Sequence, residues 1–402
     1  MLSCISPSAS VNVISKVIVW LGSRVVVLTD FSVNCGRVVY SSFLQAEIIV
    51  RNTAAINTFA FIQELIIPSN VLKTGQPITV ATTLLNKIFS TGTTEFGTIV
   101  SEVYAFQRLH NPVYHRWCEL ASPTSGTAAL PAFLPISFFK THRVMAGEEE
   151  AETVFESSGT TGQAVSRHFV KDLSVYRRSF DETFRRFYGD PADWCVIGLL
   201  PSYLERQQSS LVFMVDELIR RSGHEESGFY LYEHERLAKT LERLETAGQK
   251  TLLIGVTFAL LDFASEYRLD LRHTVVMETG GMKGRGKEQT REELHALLHS
   301  AFGVEAVHAE YGMTELLSQA YSTGKGRFVC PPWMKVMVRE EEDPLVIRET
   351  GRGILNIIDL ANVYSCSFIA TDDVGEVYAD GSFSVLGRVD ASDIRGCSLL
   401  VI

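Results

Sequence analysis

The residues best suited to chemistry are Ser157, Ser158, Gly159, Thr160, Thr161 and Gly162, which follow one another directly. Glycine lets backbone N–H groups approach a ligand closely, and Ser and Thr hydroxyls can rotate to donate hydrogen bonds to phosphate oxygens. This composition is typical of a loop that wraps a polyphosphate. A plain turn between two strands is the alternative interpretation, and the run alone does not decide between them.

A second polar stretch, Tyr311-Gly312-Met313-Thr314-Glu315, favours the phosphate interpretation. Tyr311 offers a stacking surface, Thr314 a hydroxyl for a phosphate, and Glu315 a hard oxygen ligand for Mg²⁺. Gly280 and Gly281 follow another predicted strand, and they leave room for a flat base against the backbone. Because ligands of open parallel sheets bind outside the carboxyl ends of the strands, we expect these stretches at one edge of a sheet.

Two turns near the C-terminal end carry charge, namely Thr371–Gly375 with Asp372 and Asp373, and Gly387–Asp390 with Arg388. A ribose diol prefers a carboxylate acceptor, and developing phosphate charge prefers arginine. Taken singly, each is also typical of a charged hairpin turn. The stretch 281–287 has Walker spacing up to its lysine, but Glu288 replaces the required Ser or Thr, so we do not predict a Walker loop.

Alternating apolar runs and amphipathic segments predict an α/β fold with a mostly parallel sheet flanked by helices. Strands are predicted at 194–200, 228–232, 251–256, 274–277 and 304–308, and helices at 96–120 (interrupted at Pro112), 211–221, 234–247, 258–267 and 288–302. Leu134–Lys140 is expected to lead into this first sheet. From Trp333 onward short strands at 335–339, 353–359, 367–370, 376–378 and 383–386 predict a β-rich subdomain.

Composition places the chain among ordinary globular proteins. At 402 residues with 46% hydrophobic content, it can form two domains with ample core. The net charge of −10 argues against nucleic acid held by a general basic surface. Seven cysteines form an odd number without a C-x-x-C pair, which indicates reduced thiols in a cytoplasmic protein and no zinc site.

The N-terminal part differs from the rest. Residues 11–29 are apolar, but Lys16 and Arg24 interrupt them, so we expect no membrane-spanning helix. Acidic residues are scarce up to residue 90, which predicts a boundary at 85–95. We therefore expect residues 1–90 to form a poorly ordered extension or the product of a wrongly chosen start, followed by the α/β domain at 91–330 and the β-rich subdomain at 331–402.

In their order along the chain, these motifs resemble those of the adenylate-forming superfamily of acyl- and aryl-CoA ligases. Within it, Leu134–Lys140, Leu199–Tyr203 and the ending Asp393–Ser398 are similar to the LuxE-type acyl-protein synthetases, and more distantly to phenylacetate–CoA ligase. The resemblance covers residues 155–396. It implies an ANL-like large domain, and the chain stops at Ile402, before the superfamily's small mobile C-terminal domain and its catalytic lysine.

The resemblance also implies roles for the motif residues. The loop from Ser157 to Gly162 would hold the β- and γ-phosphates of ATP, and Gly280, Gly281 and Tyr311 the adenine. Thr314 would contact the α-phosphate and Glu315 would bind Mg²⁺. Asp373, with Asp372 as its rival, would accept the ribose hydroxyls, and Arg388 would lie near ribose or phosphate. The superfamily loop commonly continues to Pro-Lys, whereas this chain has Gln163-Ala164-Val165.

Acyl-protein synthetases carry the acyl group on a cysteine near the C-terminus, and Cys397 stands at the matching place. Neighbouring Arg395 would lower the pKa of its thiol, although a cysteine in a final apolar strand is equally consistent with burial. Cys366 and Cys330 are weaker candidates. His308 either lines an acyl pocket or caps a strand, and Lys140 is a minor candidate to replace the missing lysine electrostatically.

The function that follows is ATP-dependent activation of a carboxylic acid, with a fatty acid as the first candidate, as acyl-adenylate. The acyl group would then pass to Cys397 and on to a partner such as a reductase or carrier protein. A carboxylate–CoA ligase that uses free CoA is one alternative. A non-catalytic nucleotide-binding scaffold is the other.

Overall fold

The computed structural model describes residues 13–21, 24–34, 37–40, 77–90, 95–121, 131–157, 164–200, 208–280 and 290–389, with only the backbone described for 13–40 and 77–80. The chain divides into two compact units, Met1–Gly75 and Gln76–Ile402. No helix within these ranges is both long and apolar enough to cross a membrane.

The first unit contains an antiparallel sheet of three strands in the order β1 (Val13–Leu21), β2 (Arg24–Asn34) and β3 (Arg37–Tyr40). The apolar segment at 11–29 thus contributes to two paired strands. How well the first unit is ordered in solution stays a prediction.

The second unit begins with three helices: α1 (Pro77–Ser90), α2 (Phe96–His110) and α3 (Pro112–Ala121). Pro112 ends the pattern of α2 and starts α3, where its missing N–H costs nothing. The division between the units lies before α1, whereas composition predicted it at 85–95.

The next segment corrects one prediction. Leu134–Pro135 forms a short strand, β4, and Phe138–Thr141 a single-turn helix, α4. β4 pairs in parallel with Ile369 and Ala370 of the second, β-rich sheet, not with the mostly parallel sheet as expected. An apolar run of this length does not reveal which sheet it joins.

The mostly parallel sheet has six strands in the order β12-β11-β10-β9-β7-β8. Its strands are β7 (Cys195–Leu199), β8 (Gly228–Phe229), β9 (Thr251–Gly255), β10 (Thr274–Glu278), β11 (Val307–Tyr311) and the antiparallel β12 (Ala320–Ser322). The helices are α5 (Leu173–Tyr188), α6 (Ser210–Ser222), α7 (His234–Thr246), α8 (Thr257–Glu266) and α9 (Arg291–Phe302). The α/β prediction for this region is confirmed.

The direction in which successive connections cross the sheet changes at the boundary between β7 and β9. The connection from β7 runs to β8 on one side, and those from β9 and β10 run to the other side. Since parallel crossovers are right-handed, α6 lies on one face of the sheet and α8 and α9 on the opposite face. α5 packs with α6, and α8 packs with α9, in agreement with this division.

The second sheet has the order β14-β13-β15-β16-β17. Its strands are β13 (Met334–Arg339), β14 (Ile347–Arg348), β15 (Gly351–Asp359), β16 (Phe368–Val377) and β17 (Phe383–Arg388). The β-rich region is confirmed, but the strands predicted at 367–370 and 376–378 are one continuous strand. Thr371–Gly375, interpreted as a turn, continues β16 with a register shift at Val374 and Gly375.

A two-stranded antiparallel hairpin, β5 (Thr153–Glu156) and β6 (Arg167–Val170), precedes α5. The loop from Ser157 to Gly162 therefore lies in the connection of a hairpin. This is the placement that both interpretations of that run allowed.

Candidate functional site

The neck of the Ser/Thr/Gly loop is closed by two serines. The Ser157 N–H donates to the Ser166 carbonyl at 3.0 Å, and the Ser166 N–H donates to Ser157 Oγ at 3.0 Å. These bonds extend the β5–β6 pairing by one residue on each side, so the loop leaves the sheet from a fixed base. Ser158, Gly159, Thr160, Thr161 and Gly162 lie outside the described residues, and their phosphate contacts stay predictions.

His168 on β6 fastens this hairpin to the turn after β11. Its Nδ1 lies 2.8 Å from the carbonyl oxygen of Thr314. Because a carbonyl only accepts, Nδ1 carries the proton, and Nε2 is buried with no hydrogen-bond partner in the described part of the chain. Burial lowers the pKa of His168 to about 4, so the ring is neutral. The two polar stretches that the sequence singled out are thus directly connected.

Glu315 lies between the hairpin and the second sheet. Its side chain is 5% exposed, and the Ser166 side chain hydrogen-bonds to its carboxyl. Burial raises the pKa of Glu315, while Ser166 and the charges of Arg388 and Lys140 act in the opposite direction. Both cations are therefore close enough to influence this carboxyl.

The turn that carries Thr314 and Glu315 is held by a buried carboxylate at the end of β15. Asp359 Oδ2 accepts from the N–H groups of Leu317 at 2.8 Å and Ser318 at 3.0 Å, and Oδ1 accepts from the Ser318 hydroxyl at 2.6 Å. Burial raises the pKa of Asp359 to about 6 despite these donors. The second sheet thus fixes the turn in place.

Tyr311, Asp373 and Arg388 meet at the edge where β11 approaches β16 and β17. The Tyr311 hydroxyl donates to Asp373 Oδ2 at 2.7 Å, and Arg388 Nε lies 3.4 Å from Asp373 Oδ1. Asp373 and Arg388 are register partners across β16 and β17. Asp372 is exposed, so the geometry favours Asp373 over its rival.

The ring of Tyr311 packs against Phe383 at 5.2 Å and Phe328 at 5.8 Å between ring centroids. The tyrosine is 8% exposed. Aromatic packing and the bond to Asp373 therefore fix its orientation, and its predicted contact with adenine stays a prediction.

Gly280 follows β10 on the same edge of the sheet. Its φ of +73° lies in the left-handed region, and its N–H donates to Glu278 Oε2 at 2.7 Å. Apart from its chain neighbours, no atom of the described residues lies within 4 Å of the place that a Cβ would take here. Gly281 lies outside the described residues.

Glu278 joins β10 to α9 and to the second sheet. Arg291 Nε lies 3.1 Å from Glu278 Oε1, and Arg291 Nη1 donates to the Val385 carbonyl of β17 at 3.2 Å. Burial opposes ionisation of Glu278, but His295, Arg291 and the Gly280 N–H together lower its pKa. This bridge holds the glycine turn near the strand that carries Arg388.

Three of these positioning residues are missing from the sequence predictions: Ser166, His168 and Arg291. Each acts through a partner distant in sequence, such as Thr314 for His168 and Val385 for Arg291. No local pattern distinguishes His168 from any other polar residue in a strand, so only the tertiary structure identifies it.

The described residues contain no group of three or more His, Cys, Asp and Glu side chains that could hold a metal ion. Glu315 supplies one buried carboxylate close to the base of the β5–β6 hairpin. Mg²⁺ commonly binds through one or two protein carboxylates together with substrate phosphates and water. The donor set therefore fits an ion that arrives with a nucleotide.

The cysteine candidates separate by burial. Burial raises the pKa of Cys330 to about 12 and that of Cys366 further, so neither thiol ionises readily at neutral pH. Cys397 and Asp390 lie outside the described residues. His308 lies on β11, where its Nδ1 is 3.1 Å from the Tyr188 hydroxyl and burial lowers its pKa.

Sequence similarity links the chain to a known ligase. No protein-family model matches the chain. The long-chain-fatty-acid–luciferin-component ligase of Vibrio harveyi is 22% identical over 333 residues, which covers 75% of this chain and 85% of that protein.

Two solved structures illustrate the structural comparison. ATP-bound MatB from Rhodopseudomonas palustris is 18% identical with a TM-score of 0.44, covering 58% of this chain and 47% of that chain. A long-chain-fatty-acid-CoA ligase (FadD1) from Archaeoglobus fulgidus is 16% identical with a TM-score of 0.42, covering 59% and 51%. The chain spans about half the length of these two structures. On the curated comparison, the resemblance that the ordered motifs indicated is confirmed: the chain is similar to a ligase of the LuxE type.

Proposed function

We propose that this chain activates a carboxylic acid with ATP as an acyl-adenylate and then carries the acyl group as a thioester on Cys397. The observation that carries the proposal is the convergence of the hairpin base, Glu315, Arg388 and the Tyr311–Asp373 pair around one sheet edge. Similarity to the Vibrio harveyi ligase supports a carboxylic acid as the substrate, with a fatty acid as the first candidate.

The first step joins the acid to the nucleotide. A carboxylate oxygen of the acid attacks the α-phosphorus of ATP, the bond between that phosphorus and the β-bridging oxygen breaks, and pyrophosphate leaves. The chain's contribution is to position the reactants and to neutralise charge. Asp373 would accept the ribose hydroxyls, Arg388 and Thr314 would bind near the α-phosphate, and the loop after Ser157 would hold the leaving pyrophosphate.

Mg²⁺, held by Glu315 and the phosphates, would supply neutralisation of the phosphate charge. The raised pKa of Glu315 in this structure agrees with a carboxyl that is buried before a cation reaches it. Gly280 and Gly281 would leave the backbone open for adenine beside Tyr311.

In the second step the Cys397 thiolate attacks the acyl carbon and AMP leaves. The acyl group would then pass to a partner protein such as a reductase or carrier protein. Burial of Cys330 and Cys366 disfavours both as nucleophiles, which supports the choice of Cys397. A cytoplasmic location is part of the proposal, because Cys118, Cys195, Cys330 and Cys366 are all free thiols.

The test is ATP–pyrophosphate exchange that depends on a carboxylic acid, combined with detection of labelled acyl-protein. We expect Cys397→Ser to keep the exchange and to lose the labelled protein, because only the second step needs the thiol. Cys330→Ser is the matched control and should retain both signals.

Three outcomes would contradict the proposal in different ways. Absence of exchange with every acid in a broad panel, together with ATP binding, would favour a non-catalytic nucleotide-binding scaffold. Thioester release to free CoA without protein labelling would favour a carboxylate–CoA ligase. Labelling that survives Cys397→Ser would place the nucleophile elsewhere.

A further inference from the structure

The face of β11 opposite Tyr311 carries an acidic side chain, Glu310. Successive side chains of a strand point to opposite faces, so His308 and Glu310 share one face and Tyr311 lies on the other. Within the described residues, the Glu310 carboxyl has no hydrogen bond and no ion pair. Glu310 as a whole is partly exposed, while protein atoms surround its carboxyl.

The lack of a charged partner affects the protonation of the Glu310 carboxyl. Burial, with a smaller contribution from the charge of Glu278, raises the pKa of Glu310 to about 8. A buried carboxylate is costly unless a cation or several donors accompany it. Glu310 is therefore protonated at neutral pH until a positively charged partner arrives.

A second unsatisfied acceptor lies beside the first. The side-chain oxygen Oε1 of Gln319 is buried and has no partner among the described residues, in a side chain that is 3% exposed. Gly312 separates the two groups: Glu310 Oε1 occupies the place where a Gly312 Cβ would be, and Gln319 Cγ lies 3.4 Å from that place. The two side chains thus approach each other over Gly312, and the Gln319 amide group also hydrogen-bonds with the Tyr176 hydroxyl.

Aromatic rings complete the surroundings. Tyr321 is the register partner of Glu310 across β11 and β12. Its ring centroid lies 5.4 Å from that of Tyr188, whose hydroxyl contacts His308. Aromatic faces next to a carboxylate are a favourable environment for an ammonium group.

We propose that Glu310 and Gln319 over Gly312 form a subsite for an amino group carried by the carboxylic acid substrate. The inference rests on the proposed function and refines its substrate class from a plain fatty acid to an amino-bearing acid. The amino group forms no covalent bond here. It donates to the Glu310 carboxylate and to Gln319 Oε1, and its charge keeps Glu310 ionised.

A saturated chain ending in a methyl group would leave both acceptors desolvated without a donor. Sites built to hydrogen-bond a substrate group discriminate strongly against analogues that lack it, because their own polar groups then stay unpaired. The nucleotide on the Tyr311 face and the amino group on the Glu310 face would be separated by the thickness of one strand. The acid would therefore extend from the carboxyl end of β11 along its Glu310 face.

The experiment measures acid-dependent ATP–pyrophosphate exchange with linear acids of several lengths, each supplied with a terminal methyl or a terminal amino group. At the chain length that gives the highest kcat/KM, we expect the amino-terminated acid to exceed the methyl-terminated acid of the same length in kcat/KM by about tenfold or more. Glu310→Gln should reduce this ratio to about one, because the neutral amide no longer pairs with the ammonium. Gln319→Met should reduce it less, since only one neutral hydrogen bond is lost.

Glu292→Gln, on the exposed side of α9, is the matched control and should leave the ratio unchanged. Thermal unfolding of each variant establishes that it is folded. A wild-type preference for methyl-terminated acids, or a ratio that Glu310→Gln does not change, would overturn the subsite while leaving the ligase function intact. Absence of exchange with every acid would instead overturn the proposed function.

Discussion

The two faces of strand β11 differ in how fully their polar groups are satisfied. On one face the Tyr311 hydroxyl is bound to Asp373, which also faces Arg388, and the ring packs between two phenylalanines. On the other face Glu310 and Gln319 present acceptors without described donors.

The two faces therefore differ in whether their polar groups are paired within the protein or left for the proposed ligand. The Tyr311 face is assembled in advance by groups within the chain, which suits the proposed nucleotide site, whose ligand would be the same in every turnover. The Glu310 face has acceptors without a donor among the described residues, which the proposed amino group would satisfy, and such acceptors provide specificity. One strand would thus serve both binding and selection.

Asp373→Ala tests the assembled face and should have the largest effect. Removing the carboxylate leaves the Tyr311 hydroxyl and the Arg388 guanidinium without their shared partner and removes the proposed ribose acceptor. We expect acid-dependent ATP–pyrophosphate exchange to fall by about 100-fold.

Asp372→Ala is the control for this change, because Asp372 is the exposed neighbour. Its exchange rate should stay within about twofold of the wild type. Equal losses in both variants would show that the Tyr311 face does not depend on Asp373.

A substitution of His168 tests the contact between the β5–β6 hairpin and the turn after β11. Its pKa is about 4 in the folded chain and near 6.5 when unfolded, so the unfolded chain binds the proton first as the pH falls. Stability is therefore fully present above pH 6.5 and decreases by up to about 3 kcal/mol as the pH approaches 4. Urea unfolding across this range measures the slope.

His168→Asn removes the titrating ring and keeps an N–H that can donate to Thr314. Its stability should be lower at pH 7, because the smaller side chain leaves a cavity, but it should depend less on pH below 6.5. His299→Gln, which replaces an exposed histidine, serves as the control. An equally steep slope in His168→Asn would assign the acid sensitivity to other groups.

Glu310→Gln tests the Glu310 face through the pH dependence of the free energy of unfolding. The folded pKa of about 8 is above the unfolded value near 4.5, so the wild type loses stability as the pH rises from 4.5 towards 8. The neutral amide does not ionise, so the variant should match the wild type at pH 4 and exceed it by about 1 kcal/mol or more at pH 8. A variant that is less stable at pH 8 would indicate a protein cation paired with Glu310.

Tyr311→Phe is expected to have the smallest effect. It removes one hydroxyl and its 2.7 Å bond to Asp373 but keeps the ring packing. Loss of one such bond to a charged group costs about 1–2 kcal/mol, so KM for ATP should rise about tenfold with a smaller change in kcat. An unchanged KM would mean that the aromatic packing alone orients this face.

Sequence patterns predicted the long elements well and failed where a partner sheet had to be chosen. Strands such as Thr251–Gly255 are continuous apolar runs between amphipathic helices, so their type follows from periodicity. Leu134–Pro135 is too short to show such a periodicity. Its pairing with β16 joins Leu134 to Ile369, which is far away in sequence. The second sheet likewise joins two predicted strands into β16, because polar residues at Thr371–Gly375 resemble a turn while backbone pairing continues.

For the candidate site, the sequence by itself determined which residue types were available and in which order they occur. Hydroxyls, glycines and carboxylates have local signatures. The strand predicted at 304–308 ends before Tyr311, whereas the observed strand, Val307–Tyr311, includes it. Only the tertiary structure decided that His168 binds Thr314, that Arg291 bridges two sheets, and that Glu310 has no hydrogen-bond partner among the described residues. These depend on distances between residues far apart in sequence and on the loss of water around them, and neither quantity is encoded in any single stretch of the chain.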